Sequence, residues 1–337
     1  MTRRTDAVSS NTLRLPFADI ALEDRVRTRL EEVEAGLAAA VRSDAPFVAE
    51  TARHLLDAGG KRFRPLLVLL AAELGDPHAD GVVPAALVVE LTHLATLYHD
   101  DVMDEAALRR GAQSANARWD NTVAILTGDY LFARASEVVS HLGPEAVRLQ
   151  AQTFSRLVHG QIAETLGPGD SDPLEHYLEV VADKTGSLIA TSALFGARTS
   201  GVLVSLHPAL AEFGEHIGIA FQLSDDVIDV VSDSDASGKT PGTDLREGVP
   251  TLPVLLARRS DAPGTDELLT LLDDDLASDA ALAAALNALR KHPAVDDARD
   301  VVKQRADLAR SQLDPLPDGP ARAALEALCD LVVTRTG

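Results

Sequence analysis

Two groups of three aspartates share one spacing, Asp-Asp-x-x-Asp, and lie 125 residues apart. The groups are Asp100, Asp101 and Asp104, then Asp225, Asp226 and Asp229. At about 100° per residue, the first and last aspartates of each group share one helix face. Carboxylates this close repel one another unless a cation lies between them, and oxygen-only ligands are typical of Mg²⁺. The spacing therefore predicts two magnesium-binding helix faces.

Basic residues accompany both aspartate groups. Lys61 and Arg64 follow a Gly-Gly turn, and Arg109 and Arg110 begin five residues after the first group. Two more lysines stand beside glycines or loops: Lys184, which precedes Thr185, and Lys239. Glycine turns and helix N-termini are typical binding places for phosphate. Carboxylate-bound Mg²⁺ beside several cations predicts a site for two diphosphates.

A solvated helix face is the alternative explanation for one acidic group in an acidic chain. The cluster Asp274, Asp275 and Asp279 shows how such groups arise without neighbouring basic motifs. The two Asp-Asp-x-x-Asp groups differ because both lie in strongly apolar segments, where an unpaired buried carboxylate is costly. The repetition of this spacing in two apolar segments therefore favours metal binding over a solvated helix face.

The elements that must position these groups are predicted to be helices. Apolar residues recur every three or four positions, and no Asn-Gly or Asp-Gly hairpin turn separates alternating segments. Predicted helices cover residues 20–41, 49–56, 66–74, 84–104, 121–142, 144–166, 173–182, 185–197 and 206–231. Residues 232–250 are predicted to be a long loop, of a length that is usually functional or disordered. We expect an N-terminal arm over residues 1–18 and a single all-α domain over residues 19–337.

Composition excludes several classes of protein. The 337 residues include 31 Lys and Arg against 52 Asp and Glu, a net charge of −21. Binding to nucleic acid or to an anionic membrane needs a basic surface, so neither is expected. A single cysteine, Cys329, excludes an internal disulfide and fits a reducing compartment. With no signal-peptide pattern and no predicted membrane span, we expect a cytoplasmic protein without stable membrane insertion.

Several motifs together resemble the trans-isoprenyl diphosphate synthases, also called polyprenyl synthetases. The resemblance extends from about residue 49 to 253. It consists of GGKRFRP, ELTHLATLYHDDVMDEAALRRG, KTGSLIA, IGIAFQLSDDVIDVV and GKTPGTDLREGVPTLP, in the order of the family. It implies the all-α isoprenoid synthase helical bundle, usually a homodimer, with the two aspartate groups facing each other across a central cavity.

The resemblance also implies roles for individual residues. Both aspartate groups would bind Mg²⁺ and, through it, an allylic diphosphate. The residues expected to contact the allylic diphosphate are Arg109, Lys184, Thr185, Gln222 and Lys239. The residues expected to bind isopentenyl diphosphate are Lys61, Arg64, His93 and Arg110. The metals and cations, with Lys184 and Lys239 among them, would stabilise the departing diphosphate, and isopentenyl diphosphate would attack the resulting allylic cation.

Two positions depart from the family pattern. Tyr98 stands where the family commonly has an aliphatic residue, and Val249 replaces a frequent lysine.

In the family, residues four and five positions before the first aspartate group limit product length. Here these residues are the small Thr96 and Ala95, so the resemblance predicts a geranylgeranyl or longer product.

Two rival functions follow from the same resemblance. A class I terpene cyclase also ionises an allylic diphosphate, but it needs no isopentenyl site such as GGKRFRP. A non-catalytic subunit of a heteromeric prenyl synthase would have lost motif aspartates, and this chain has lost none.

Overall fold

The computed structural model describes residues 15–232 and 241–336. Over these ranges nearly all of the regular secondary structure is helical, as the apolar periodicity predicts. Its helices are α1 (Ile20–Ala40), α2 (Pro46–Asp57), α3 (Phe63–Ala72), α4 (Val82–Met103), α5 (Ala115–Arg118), α6 (Asn121–Ser140), α7 (Pro144–Leu166), α8 (Pro173–Val181), α9 (Ser187–Thr199), α10 (His207–Val231), α11 (Thr243–Arg246), α12 (Leu252–Ala257), α13 (Thr265–Leu272), α14 (Asp279–Leu289), α15 (Ala294–Ser311) and α16 (Pro320–Thr334). The strands are β1 (Leu108–Arg109) and β2 (Ala112–Gln113).

Two compact units divide the described chain. The first comprises residues 15–153, 191–211 and 315–325, and the second comprises 154–190, 212–314 and 326–336. The predicted single domain from residue 19 onward stays a prediction. Residues 1–14 of the predicted N-terminal arm lie outside the described residues, and residues 15–18 form no helix or strand.

Helix α4 is the central helix of the first unit. It packs against α6, α3 and α1, and Val88, Leu91 and Leu94 have no exposed surface. Helix α3 is buried along nearly its whole length, which matches its continuous apolar sequence. By length and composition alone α4 could cross a membrane, which the sequence analysis did not expect. Most of its apolar window is buried inside the protein, as in the core helix of a globular domain.

Two glycines of helix α10 allow neighbouring segments of the second unit to approach it closely. A Cβ at Gly214 would lie 2.6 Å from the Cα of Ala190, and one at Gly218 would lie 3.1 Å from the Cα of Gly186. The C-terminal helices form an apolar cluster around the end of α10. Its fully buried members include Ala257, Ala285, Leu289 and Ala294.

Three local features differ from the sequence-based prediction. β1 and β2 form a small antiparallel hairpin, missed because its two-residue turn is Arg110-Gly111 rather than Asn-Gly or Asp-Gly. The predicted loop 232–250 contains the short helix α11 within its described part. The predicted break between two helices at residues 183–184 lies instead within a π-helical turn, Ala182–Gly186, that joins α8 directly to α9. Such turns are frequent at functional sites.

Candidate active site

The first aspartate group lies at the C-terminal end of α4, where Asp104 is the cap residue. Asp101 is fully buried, and its Oδ1 accepts a hydrogen bond of 2.6 Å from Arg109 Nε. Its Oδ2 is buried without a hydrogen-bond partner. Burial raises the pKa of Asp101, although Arg109 opposes the shift. A buried carboxylate oxygen without a hydrogen-bond donor carries uncompensated negative charge, which a bound cation would neutralise.

The β1–β2 hairpin brings two arginines back to this group. Arg110 and Gly111 form its turn with φ of 56° and 76°, the signs of a type I′ turn. Arg109 lies on β1 and pairs with the buried Asp101. The hairpin therefore explains how two consecutive arginines reach different partners.

Arg110 points to the C-terminal end of α2. Its Nη1 donates to the carbonyl of Leu55 at 2.9 Å and also to that of Gly59. A Cβ added to Gly60 would lie 3.0 Å from the guanidinium carbon and from both terminal nitrogens of Arg110. Gly60 has φ of +156°, so both its backbone and its neighbour require glycine.

Arg62 is a structural cation that the sequence analysis did not single out. It is buried with φ of 49°, and its guanidinium pairs with Glu34 and, at 2.9 Å, with Glu90. Burial lowers its pKa, but the two carboxylates outweigh burial, so the net shift is upward. A fully paired cation of this kind fixes the Gly-Gly turn and leaves the neighbouring cations for other partners.

Arg64 and His93 fit an anion-binding site. The Nε of Arg64 is buried without a hydrogen-bond partner, and burial lowers the pKa of this residue to about 10, with Glu90 opposing and Arg110 reinforcing the shift. The pKa of His93 lies well below its ordinary value because of burial and then of Arg64, Arg110 and Arg109. His93 is therefore neutral at physiological pH, beside guanidinium groups that favour an anion.

The remaining predicted residues of the first unit surround this region in different ways. Lys61 is exposed, next to the buried Arg62. Ala95 is fully buried on α4, and a Cβ on Gly128 of α6 would lie 3.1 Å from its carbonyl oxygen. Thr96 is half-buried and donates its hydroxyl to the carbonyl of His93 at 2.8 Å.

The second aspartate group lies in the last two turns of α10. Asp226 is buried and accepts hydrogen bonds on both oxygens: Oδ1 from Gln222 at 3.2 Å, and Oδ2 from the Tyr177 hydroxyl and, at 3.3 Å, from the Leu252 backbone N–H. Burial raises its pKa to about 7, Tyr177 opposes the shift, and Asp244 adds to it. Asp226 is therefore surrounded by donors from three elements.

Asp225 and Asp229 have other partners. Arg335, at the C-terminal end of the chain, forms an ion pair with Asp225, donates to Ser224 at 3.2 Å and stacks 4.5 Å from the centre of the Phe221 ring. Asp229 Oδ2 accepts from the backbone N–H of Asp244 at 3.3 Å. No motif in the sequence pointed to Tyr177 or Arg335, because each lies far in sequence from the aspartates it contacts.

The π-helical turn presents Lys184 and Thr185. Lys184 pairs with Glu164, and the Thr185 hydroxyl lies 3.4 Å from Gln222 Oε1. Behind the turn, Arg156 binds both Asp183 at 2.8 Å and Glu215 at 3.0 Å. Thr185 and Gln222 thus connect the turn to Asp226. The remaining predicted cation, Lys239, lies outside the described residues.

Both aspartate groups fit a divalent metal ion through their chemistry. Their side chains offer only carboxylate oxygens, and Asp101 keeps one buried oxygen without a donor. In the described ranges 15–232 and 241–336, no three His, Cys, Asp or Glu side chains converge to hold one ion by themselves. Mg²⁺ commonly binds through one or two carboxylates, with water and substrate phosphates as its other ligands.

Comparison with known proteins identifies the family. The polyprenyl synthetase family model matches residues 45–289. Nonaprenyl diphosphate synthase of Mycobacterium tuberculosis is 49% identical over 95% of this chain and 96% of its own length. A dimethylallyltranstransferase of the same organism is 44% identical over 85% of this chain and 87% of its own.

A solved structure agrees with these sequence matches. Geranylgeranyl pyrophosphate synthase from Corynebacterium glutamicum, in complex with calcium and isoprenyl diphosphate, is 46% identical with a TM-score of 0.86. The match covers 96% of this chain and all of the other chain. The two proteins are therefore similar in sequence and in fold over nearly the whole length of both chains.

Proposed function

This chain belongs to the polyprenyl synthetase family, and we propose on that premise how its own residues perform the family reaction. The chain is a prenyltransferase that condenses isopentenyl diphosphate with an allylic diphosphate, giving a longer trans-polyprenyl diphosphate and free diphosphate. Its fold is the isoprenoid synthase helical bundle. The observation that most supports our residue assignment is that two polar atoms of the predicted site, the Nε of Arg64 and the Oδ2 of Asp101, are buried without a hydrogen-bond partner.

The first aspartate group would hold Mg²⁺ together with the allylic diphosphate. Asp100, Asp101 and Asp104 would supply carboxylate oxygens, and Arg109, which pairs with Asp101 and at 3.8 Å with Asp104, holds this group in place beside the diphosphate. The bound metal would neutralise charge on the departing diphosphate. The unpartnered Oδ2 of Asp101 supports this role.

Isopentenyl diphosphate binds to Lys61, Arg64, His93 and Arg110. The buried Nε of Arg64 is a donor in need of an acceptor, and at a pKa of about 10 the guanidinium stays charged at neutral pH. Neutral His93 can donate one N–H to a phosphate oxygen without adding charge repulsion among the arginines. The four residues together offer several donors to one diphosphate.

The second aspartate group, with Lys184, Thr185, Gln222 and Lys239, serves the allylic diphosphate and its metals. Asp226 is held by Tyr177, Gln222 and Leu252, which supports a fixed position for this carboxylate. Asp225 and Asp229 are half-buried and complete the group. Lys184 and Lys239 offset the charge of the diphosphate as the allylic C–O bond breaks.

The carbon chemistry takes place on the substrates. The allylic C–O bond breaks to give a carbocation and diphosphate. The double bond of isopentenyl diphosphate attacks the cation, and loss of a proton to a diphosphate oxygen restores a double bond. No side-chain nucleophile is needed, which fits Cys329 being buried with a pKa raised by burial to about 12.

Product length is proposed as geranylgeranyl or longer. The relatives carry names of very different chain lengths, nonaprenyl for one and geranylgeranyl for another, so overall likeness does not select a length. The proposal rests on the small side chains of Ala95 and Thr96, at the positions that limit product length in the family. We expect Ala95→Phe, and to a smaller degree Ala95→Leu, to shorten the product in chromatography of reaction extracts. An unchanged product distribution in folded protein would contradict this position for the hydrocarbon.

The protein is also proposed to be a cytoplasmic homodimer. Phe154, Val158, Ile162 and Leu166 recur every four residues on α7, and between 37% and 78% of their surface is exposed. An apolar row of this size is typical of a protein interface. Light scattering of the purified protein should give twice the mass of the chain, and a monomer at micromolar concentration would contradict a stable dimer.

One assay tests the function and its rivals. Purified protein is incubated with Mg²⁺, labelled isopentenyl diphosphate and allylic diphosphates of increasing length, and the products are separated by chromatography. We expect elongation that EDTA abolishes and Mg²⁺ restores. Elongation should also be lost in Asp100→Asn and kept in Asp274→Asn, an exposed aspartate outside both groups. No elongation with any primer would indicate a non-catalytic subunit, and a cyclic hydrocarbon from primer alone would indicate a terpene cyclase.

A further inference from the structure

Tyr98 makes an unusual connection between two helices of the first unit. It lies on α4 two residues before the first aspartate group and is fully buried. Its hydroxyl donates to the carbonyl of Thr51 and accepts from the backbone N–H of Leu55 at 3.2 Å, both on α2. Thr51 and Leu55 are four residues apart, so these two groups are partners in a regular α-helix. The Tyr98 hydroxyl therefore bonds both the backbone carbonyl and the backbone N–H that would pair with each other in one turn of α2.

The same turn of α2 orients Arg110. The Leu55 carbonyl accepts from Arg110 Nη1 at 2.9 Å, and the Gly59 carbonyl, just after the helix, accepts from the same nitrogen. Leu55 thus bonds Tyr98 through its N–H and Arg110 through its C=O. A shift of this residue along α2 would move the acceptor of Arg110.

Arg110 depends on these carbonyls because its own backbone gives it little support. It occupies the turn of a two-residue hairpin, and its guanidinium reaches across to α2 and lies against Gly60. An aliphatic residue at position 98 would fill the space but would bond neither Thr51 nor Leu55. The end of α2 would then be held to α4 by apolar packing, which is less directional than hydrogen bonds.

We propose that Tyr98 is a positioning residue for isopentenyl diphosphate: its hydroxyl fixes the last turns of α2, whose carbonyls orient Arg110 toward the diphosphate. This inference rests on the proposed role of Arg110. It gives a physical role to the Tyr98 hydroxyl, which an aliphatic side chain at this position would lack.

The test is Tyr98→Phe, which removes one oxygen and leaves the ring in place. Losing two hydrogen bonds that act through Arg110 should raise KM for isopentenyl diphosphate roughly three- to tenfold. KM for the allylic diphosphate and kcat should stay within about twofold, because the allylic site depends on other residues. Tyr130→Phe is the matched control, since its hydroxyl donates to the backbone carbonyl of Arg42 at 2.9 Å on the surface.

A double-mutant cycle separates positioning from general stability. With Arg110→Gln already raising KM for isopentenyl diphosphate, adding Tyr98→Phe should cause no further rise. Additive effects, equal changes in both KM values, or an unchanged KM in Tyr98→Phe would each overturn the positioning role. If Arg110→Gln itself leaves KM for isopentenyl diphosphate unchanged, the proposed isopentenyl site fails, and the positioning role fails with it.

Discussion

The two aspartate groups have the same spacing but very different surroundings. In the first group, the buried Asp101 has one oxygen bonded to Arg109 and the other without a donor. In the second, the equivalent Asp226 accepts three hydrogen bonds that occupy both of its oxygens. Equal spacing therefore does not imply equal roles. In the first group, Asp101 Oδ2 has no donor in the protein, so a bound cation would stabilise it. In the second group, the protein itself supplies donors to both oxygens of Asp226.

The neighbouring cations reinforce the contrast. Near the first group, arginines dominate, and after burial they are the next cause of the lowered pKa of His93. At the second, Arg335 from the end of the chain pairs directly with Asp225. In both regions one arginine pairs with proposed metal ligands: Arg109 with Asp101 and Asp104, and Arg335 with Asp225. The first region has further guanidinium groups, those of Arg64 and Arg110, which suit phosphate binding.

The largest expected effect concerns the equivalent aspartates of the two groups, Asp101 and Asp226. Asp101→Asn removes the charge on the unpartnered oxygen, so we expect kcat/KM to fall about 10²- to 10³-fold, as when one transition-state electrostatic contact is lost. Asp226→Asn keeps an acceptor for Tyr177 or Gln222, and we expect a loss nearer tenfold, the equivalent of one charged hydrogen bond. Initial rates at saturating Mg²⁺ would measure both. Equal losses would remove the distinction drawn between the two groups.

A smaller effect is expected at the Gly-Gly turn, which supports the arginines of the first region. Gly60→Ala places a methyl group against the guanidinium of Arg110, and we expect KM for isopentenyl diphosphate to rise about tenfold through loss of one charged contact. Gly59→Ala is the control, because it has a positive φ of +87° but no atom within 4 Å of the added Cβ.

Backbone strain alone should affect both glycine variants similarly. A residue other than glycine in this region costs about 1–2 kcal/mol of folding stability. We therefore expect lower melting temperatures for both variants and a raised KM for Gly60→Ala alone. A similar rise in both would show that the turn matters through its backbone and not through Arg110.

The smallest expected effect concerns Arg335. Arg335→Ala removes a cation that competes with metal for Asp225, so the Mg²⁺ concentration for half-maximal rate should fall about two- to fivefold, the range of a partly exposed ion pair. Arg310→Ala is the control, since it breaks another pair of the same C-terminal region, with Asp330. A higher Mg²⁺ requirement in Arg335→Ala would mean that Arg335 supports the metal site.

Much of the helical structure followed from local sequence. The apolar repeat of residues 20–41, the glycines after α2 and the prolines at the starts of α7 and α8 placed helix ends within a few residues. Local sequence did not predict the segments in which the backbone adopts a less common conformation. The Arg110-Gly111 hairpin turn and the π-helical turn at Ala182–Gly186 have no strong local signature, and both present predicted substrate-binding residues.

The sequence by itself determined the two aspartate groups, the basic motifs and the all-α fold, because residue type and helical period are properties of short segments. Only the tertiary structure decided which partner each charged group has. Arg62 pairs with Glu34 and Glu90, Tyr177 bonds Asp226, and Arg335 pairs with Asp225. These contacts join residues from 28 to 110 positions apart. Whether a carboxylate is held by the protein or left for a cation depends on such distant neighbours, and no local pattern encodes them.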